Sequence, residues 1–166
     1  MVRKVLVAEA VEERDFQLAK IQRMISDTNF AKYIMKGNNP LKAYGGDTLQ
    51  KQFQEVYDSI SEEIDTYIEL YTAICESDAK AEVVIDDKQM SRATAMSLLK
   101  ELTGKQSLTH MLVNSVQEQL KTGERLQMPG EVNYILNTSL DQLQEEIKKL
   151  RIAIKISNAT TFIEVE

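Results

Sequence analysis

The chain has 166 residues, 43% of them hydrophobic, with 20 basic against 26 acidic side chains and a net charge of -6. That length and apolar content suffice for a core and exclude a disordered or fibrous chain, while the acidic balance disfavours the attraction on which nonspecific nucleic-acid binding rests. Cys75 and His110 are the only residues of their types, which excludes an intrachain disulfide and leaves any metal site to carboxylates, so neither a metal nor a cofactor is expected.

The opening MVRKVLVAEA carries too few apolar residues before Glu9 for a secretory signal, and no window has the length of a membrane span. A cytoplasmic protein is the expectation. The first helix is predicted over 5–27, with Val7, Val11, Leu18, Ile21 and Ile25 on one side. The stretch 28–46, KYIMKGNNPLKAYGG at its centre, is long for a helix connection. It reads as a folded cap, with a ligand-binding lid as the alternative.

Asp47 and Gln50 have capping-box spacing and announce a second helix. Phe53, Val56, Ile60, Tyr67, Tyr71 and Ile74 recur along it at helical intervals over roughly 45 Å, a rod that must lie against another. Cys75 reads as a small buried hydrophobe at the end of that stripe. After Ser77 the pattern turns to alternation, a short strand over 81–85, and Asp86 with Asp87 begins a turn. Ser91 is positioned to cap a third helix running to about Lys121, with Leu99, Leu102, Val113 and Val116 at seam spacing and a kink or break expected near Gly104. Pro129 and Gly130 suit a type II turn, whose twist matches a tight hairpin poorly, so a short, loose hairpin or a paired loop is expected over 124–136. A last helix is predicted from a capping box at Ser139 and Gln142, with Leu140, Leu143, Ile147, Leu150 and Ile154 in coiled-coil steps, ended by Asn158 and followed by a strand.

IELYTAICESDAKAEVVID at 68–86 is echoed 80 residues later in the chain's final stretch. Leu70, Ala73, Ile74, Ser77 and Ala79 align with Leu150, Ala153, Ile154, Ser157 and Ala159. The simplest account of two helix-strand copies, about 47–86 and 139–166, is that their strands pair with each other, since a lone strand leaves its backbone groups unpaired. The fold class expected is therefore mainly α: one elongated domain over 1–166, an antiparallel helical bundle or coiled coil with a small β-sheet at one end.

The ending NATTFIEV and the opening AEAVEERDF resemble the small bacterial proteins called septicolysins. The resemblance implies helical, coiled-coil-like proteins, mostly of unknown function, and through the family's name a membrane-perturbing activity. Ala159 stands where that group has tryptophan, ESDAK replaces an Asn-Thr pattern, and Leu99 replaces an arginine.

No nucleophile, phosphate-loop, dinucleotide or zinc motif is present, and the pairs Glu12 with Glu13, Glu62 with Glu63, and Glu145 with Glu146 read as solvated helix faces. An enzyme is not indicated. The candidate ligand-binding residues are Arg14, Asp78, Asn158 and Thr160, which the pairing of the two helix ends would gather, together with Tyr33, Tyr44 and Arg125 for stacking and charge. Capping and local salt bridging are the alternative use of the first four. Apolar seams longer than one hairpin can bury point to a homo-oligomer, dimer or higher, acting as a noncatalytic scaffold or binding protein. Sequestration of a small molecule or nucleotide signal is the second reading, and membrane perturbation, disfavoured by the acidic charge, the third.

Overall fold

The computed structural model of the chain describes residues 2–28, 46–122 and 130–165. The described residues are mainly helical, with four helices and two antiparallel strand pairs. In chain order these are β1 (Arg3–Leu6), α1 (Val7–Asp27), α2 (Gly46–Lys80), β2 (Glu82–Ile85), β3 (Lys88–Ser91), α3 (Arg92–Thr122), α4 (Gly130–Thr160) and β4 (Phe162–Val165). They form two compact units, one of residues 1–76 and 162–166, the other of residues 77–161.

In the first unit α1 and α2 run antiparallel. Val7 and Ala10 meet Leu70 and Ile74 at one end, and Gln17 and Lys20 both donate to Glu63 farther along. The ladder β1–β4 sits at that first end, with Val5 opposite Ile163 and Lys4 opposite Glu164. Ile163 and Val165 point inward and complete the core. A two-stranded ladder is marginal in water, whereas each buried Leu, Ile or Val contributes about 1.5–3 kcal/mol, so the helical core holds the ladder and not the reverse. Leucine at the N-cap of α1 cannot accept a hydrogen bond. Glu9 compensates by reaching back to the backbone N–H of Leu6 at 3.4 Å.

The second unit has the same plan. α3 and α4 are antiparallel, Ala95 packs with Leu150 and Ile154, and the ladder β2–β3 supplies Val83 to the core, with Ile85 and Met90 against it. Its strands are joined by a two-residue turn in which Asp86 and Asp87 both have positive φ, 48° and 62°. This left-handed pair matches the twist of a tight hairpin. Lys149 on α4 anchors the turn through Asp86 at 2.9 Å.

The pairing of the two repeated strands is overturned. β2 pairs with β3 and β4 pairs with β1, in separate sheets. The echo is nonetheless real, and wider than the passage that reveals it. β3 with the start of α3 repeats β1 with the start of α1 at a spacing of 85 residues, so that Ala95 answers Ala10 and Arg92 answers Val7, all fully buried. Each repeat is thus strand, helix, helix, strand, and its closing strand pairs with the opening strand of the other repeat.

Three further expectations are corrected. The 130–136 half of the predicted hairpin and the Ser139 cap give way to one helix from Gly130, in which Leu136 falls in step with Leu140, Leu143 and Ile147, while 124–129 lies outside the described residues. α3 runs unbroken through Gly104. Asp78 and Asn158 do not end their helices, which continue to Lys80 and Thr160. The helical seams stand in part: Ile60 and Ile74 on α2, and Leu143, Ile147, Leu150 and Ile154 on α4, are buried, whereas Tyr71, expected in the α2 seam, is exposed and Leu70 beside it takes the buried place.

Candidate functional site

The most heavily built polar site lies in the second unit and centres on Arg92, the first residue of α3. Ser91 caps that helix, its Oγ accepting the Thr94 N–H at 3.1 Å. The backbone N–H of Arg92 donates to the Ala81 carbonyl at 2.8 Å, and the cap and this bond together fix where the side chain starts. The guanidinium is wholly buried (0% exposed). Its Nε donates to Asp78 Oδ1 at 2.6 Å, its Nη2 to Ser77 Oγ at 2.7 Å and its Nη1 to Ser157 Oγ at 3.1 Å. One side chain therefore ties the start of α3 to the last turn of α2 and to α4. The bond to the carboxylate is charge-assisted and the planar fork fixes its direction.

This site pins elements and offers no reactive group. Every nitrogen of the guanidinium already meets a protein acceptor, and the only carboxylate present is the one it neutralises. The signal in the sequence was available. A helix N-terminus is electropositive, so an arginine there without any acidic residue in the first turn implies a carboxylate brought from elsewhere.

Of the predicted ligand-binding residues the structure places Asp78 in this cluster and leaves the others dispersed. Arg14, on α1, pairs with its neighbour Asp15 at 2.7 Å. Thr160 closes the last turn of α4, donating to the Ile156 carbonyl at 2.9 Å. The Oδ1 of Asn158 is buried without a hydrogen-bond partner among the described residues. Asn158 stands where the other repeat has Asp78, and Arg92 stands where the first repeat has Val7. Tyr33, Tyr44 and Arg125 lie outside the described residues, as does the 28–46 segment apart from its ends. Cys75, expected to be buried, is exposed. It follows Ile74 by one position, which turns it away from the seam.

The acidic pairs behave as solvated faces with local partners. Glu13 meets Arg3 at 2.5 Å, and Glu63 takes Lys20 at 2.6 Å together with the Gln17 amide. The Lys20 ammonium holds the Glu63 carboxyl below the ordinary carboxylate range, and the Gln17 donor adds to that. No group of three or more His, Cys, Asp or Glu residues among those described is arranged to hold a metal ion.

Two open grooves flank the closing strands. One, of about 350 Å³, runs between β2 and α4 and is lined by Val84, Ala153, Ile156, Ser157, Thr160 and Thr161 among others. The other, of about 400 Å³, runs between β4 and α2 and includes Ile68, Glu69, Ala73, Glu76 and Glu164. They occupy equivalent places in the two units. Glu76 stands where the other groove has Ile156 and Glu164 where it has Val84, so the groove beside β4 is the more acidic of the two.

Fold and site together define a mainly α-helical bundle protein with small antiparallel strand pairs, whose most ordered polar cluster is a buried clamp. No family model, no curated protein and no solved structure matches the chain. Among the described residues no helix is long and apolar enough to cross a membrane.

Proposed function

We propose that the chain is a noncatalytic, self-associating helical scaffold or protein-binding module. The observation that carries this reading is the apolar surface left on α2. Ile60, Leu70 and Ile74 are buried against its own unit, yet Tyr57, Ile64, Ile68 and Tyr71 on the same helix are exposed. A contiguous exposed apolar row marks an association surface more often than a free one. The polar sites described add support, since the side chains that make them cap helices or bridge elements. The likeness to the septicolysin group enters this proposal through the helical plan alone.

Sedimentation velocity over a hundredfold range of concentration tests the reading. A dimer or larger assembly supports it, and a monomer throughout refutes self-association. A second reading, small-molecule sequestration, takes its support from the groove that Thr160 helps to line. A thermal-shift screen with nucleotides and metabolites tests it, and a ligand-independent melting temperature across the screen rejects it.

A further inference from the structure

The exposed apolar residues of α2 form a second seam. Tyr57, Ser61, Ile64, Ile68, Tyr71 and Cys75 follow one another at steps of four, three, four, three and four, the spacing along which one helix packs against another. Tyr57 is 56% exposed, Ile68 52% and Tyr71 47%, so the seam is uncovered along about 27 Å of helix. Beside it stand Asp58, Glu62, Asp65 and Glu69. These charges decide which helix can cover it. The same seam of a second copy would set carboxylate against carboxylate at the flanking positions, where like charges oppose pairing. A cationic helix face carrying a few aliphatic side chains meets the seam without that repulsion.

The chain carries such a face. On α4, at the places that answer Ile68, Tyr71, Thr72, Cys75 and Glu76, stand Lys148, Arg151, Ile152, Lys155 and Ile156. Ile152 is 51% and Ile156 58% exposed. Lys149 is already paired with Asp86, but Lys148, Arg151 and Lys155 have no carboxylate partner among the described residues, and neither Asp65 nor Glu69 has a cation. The chain therefore carries an acidic helix face on α2 and a cationic one on α4, each with aliphatic residues uncovered, the cations of α4 standing where α2 has Ile68, Tyr71 and Cys75.

We infer that the cationic face of α4, centred on Arg151, Ile152, Lys155 and Ile156, docks on the acidic Tyr57–Cys75 seam of α2 in a second copy of the chain. This rests on the self-association reading and names the surfaces that perform it. Charge selects the partner face and aliphatic burial supplies the adhesion, so assembly weakens as salt screens the flanking pairs.

Charge reversal with a mixing control tests the inference. Arg151→Glu/Lys155→Glu makes the α4 face acidic, and Asp65→Lys/Glu69→Lys makes the α2 seam basic. Sedimentation velocity in 50 mM and 500 mM salt is expected to show an assembly of the wild type that weakens with salt. Either variant alone is expected to weaken it by roughly tenfold or more, and an equimolar mixture of the two to restore it, because the reversed faces are again complementary. Matching circular dichroism melts establish that both variants fold. Cys75 provides an independent readout, since maleimide labelling of this exposed thiol slows in the assembly and a bulky label there dissociates it. An assembly of the wild type that neither salt nor reversal affects, or variants that fail to restore each other, overturns the docking while leaving self-association in place. A wild-type monomer at every concentration overturns both.

Discussion

Replacing Arg92 by methionine tests whether the buried clamp holds its three helix segments together. Methionine keeps most of the aliphatic volume and removes the guanidinium. Asp78, whose side chain is only 12% exposed, then keeps its charge without a partner, and breaking a buried pair by removing one member costs about 3–5 kcal/mol. The hydroxyls of Ser77 and Ser157 lose a charged donor at 3.1 Å for Ser157 and 2.7 Å for Ser77, a smaller cost than the stranded carboxylate because a helical serine O–H still bonds a carbonyl of its own preceding turn. Against a total stability of about 5–15 kcal/mol for a domain, the loss is a large fraction. Asp78→Leu alone strands the guanidinium and costs a similar amount. The double variant leaves no unpaired charge, and its loss falls short of the sum of the two by about 2 kcal/mol or more. Urea titration followed by circular dichroism at 222 nm, with the slope checked for constancy, measures all three. A loss below about 1 kcal/mol for Arg92→Met, or additive losses, refutes the clamp.

Gly104→Ala is expected to stabilise the chain by up to about 1 kcal/mol in the same titration, because the position is inside α3 and an added Cβ meets nothing within 4 Å. Asp87→Gly relieves a left-handed non-glycine residue, worth roughly 1 kcal/mol, without touching the Asp86–Lys149 pair. Asn158→Ala, which deletes the unpartnered buried oxygen, is expected to cost less than about 0.5 kcal/mol or to stabilise, whereas a loss near 2 kcal/mol would show that the oxygen has a partner. Glu63 has a lowered folded-state pKa, so its contribution is present above the ordinary value of 4.5 and is lost as pH falls below it. Glu63→Gln therefore flattens the acid limb of a stability-against-pH curve, and an unchanged limb would contradict that.

The long helices were legible because their seams repeat many times. Ile60 and Ile74, and Leu143, Ile147, Leu150 and Ile154, were placed on buried faces by spacing alone, and the structure buries them, while Tyr71, placed with them, gives its buried position to Leu70. The four-residue strands were not. RKVL and KQMS have no alternation of their own and become strands because FIEV and EVVI lie beside them. Pairing of that kind is a long-range choice that local propensity does not encode. The repeat was half visible for the same reason: the end of its second helix keeps five identities and its closing strand only the apolar pattern, while its opening strand and first helix share mainly the small residues Ala8 with Ala93 and Ala10 with Ala95. VNYI at 132–135 misled in the opposite direction, its local preference for strand yielding to a seam that continues into Leu136. Within the site, Asp78 was visible as a polar residue at a helix end. Its partner Arg92 was signalled only by its place at a helix start without an acidic residue, and the repeat did not point to it because the other copy has Val7 there.

Disulfide trapping tests the exchange of closing strands most directly, in a Cys75→Ser background. Opposed residues of an antiparallel ladder have Cα atoms about 4.5–5.5 Å apart, within reach of a disulfide. Lys4→Cys with Glu164→Cys, and Val84→Cys with Gln89→Cys, are expected to oxidise rapidly within one chain. Rapid intrachain bonding of Val84→Cys with Glu164→Cys, accompanied by failure of the other two pairs, would mean that the repeated strands pair with each other after all.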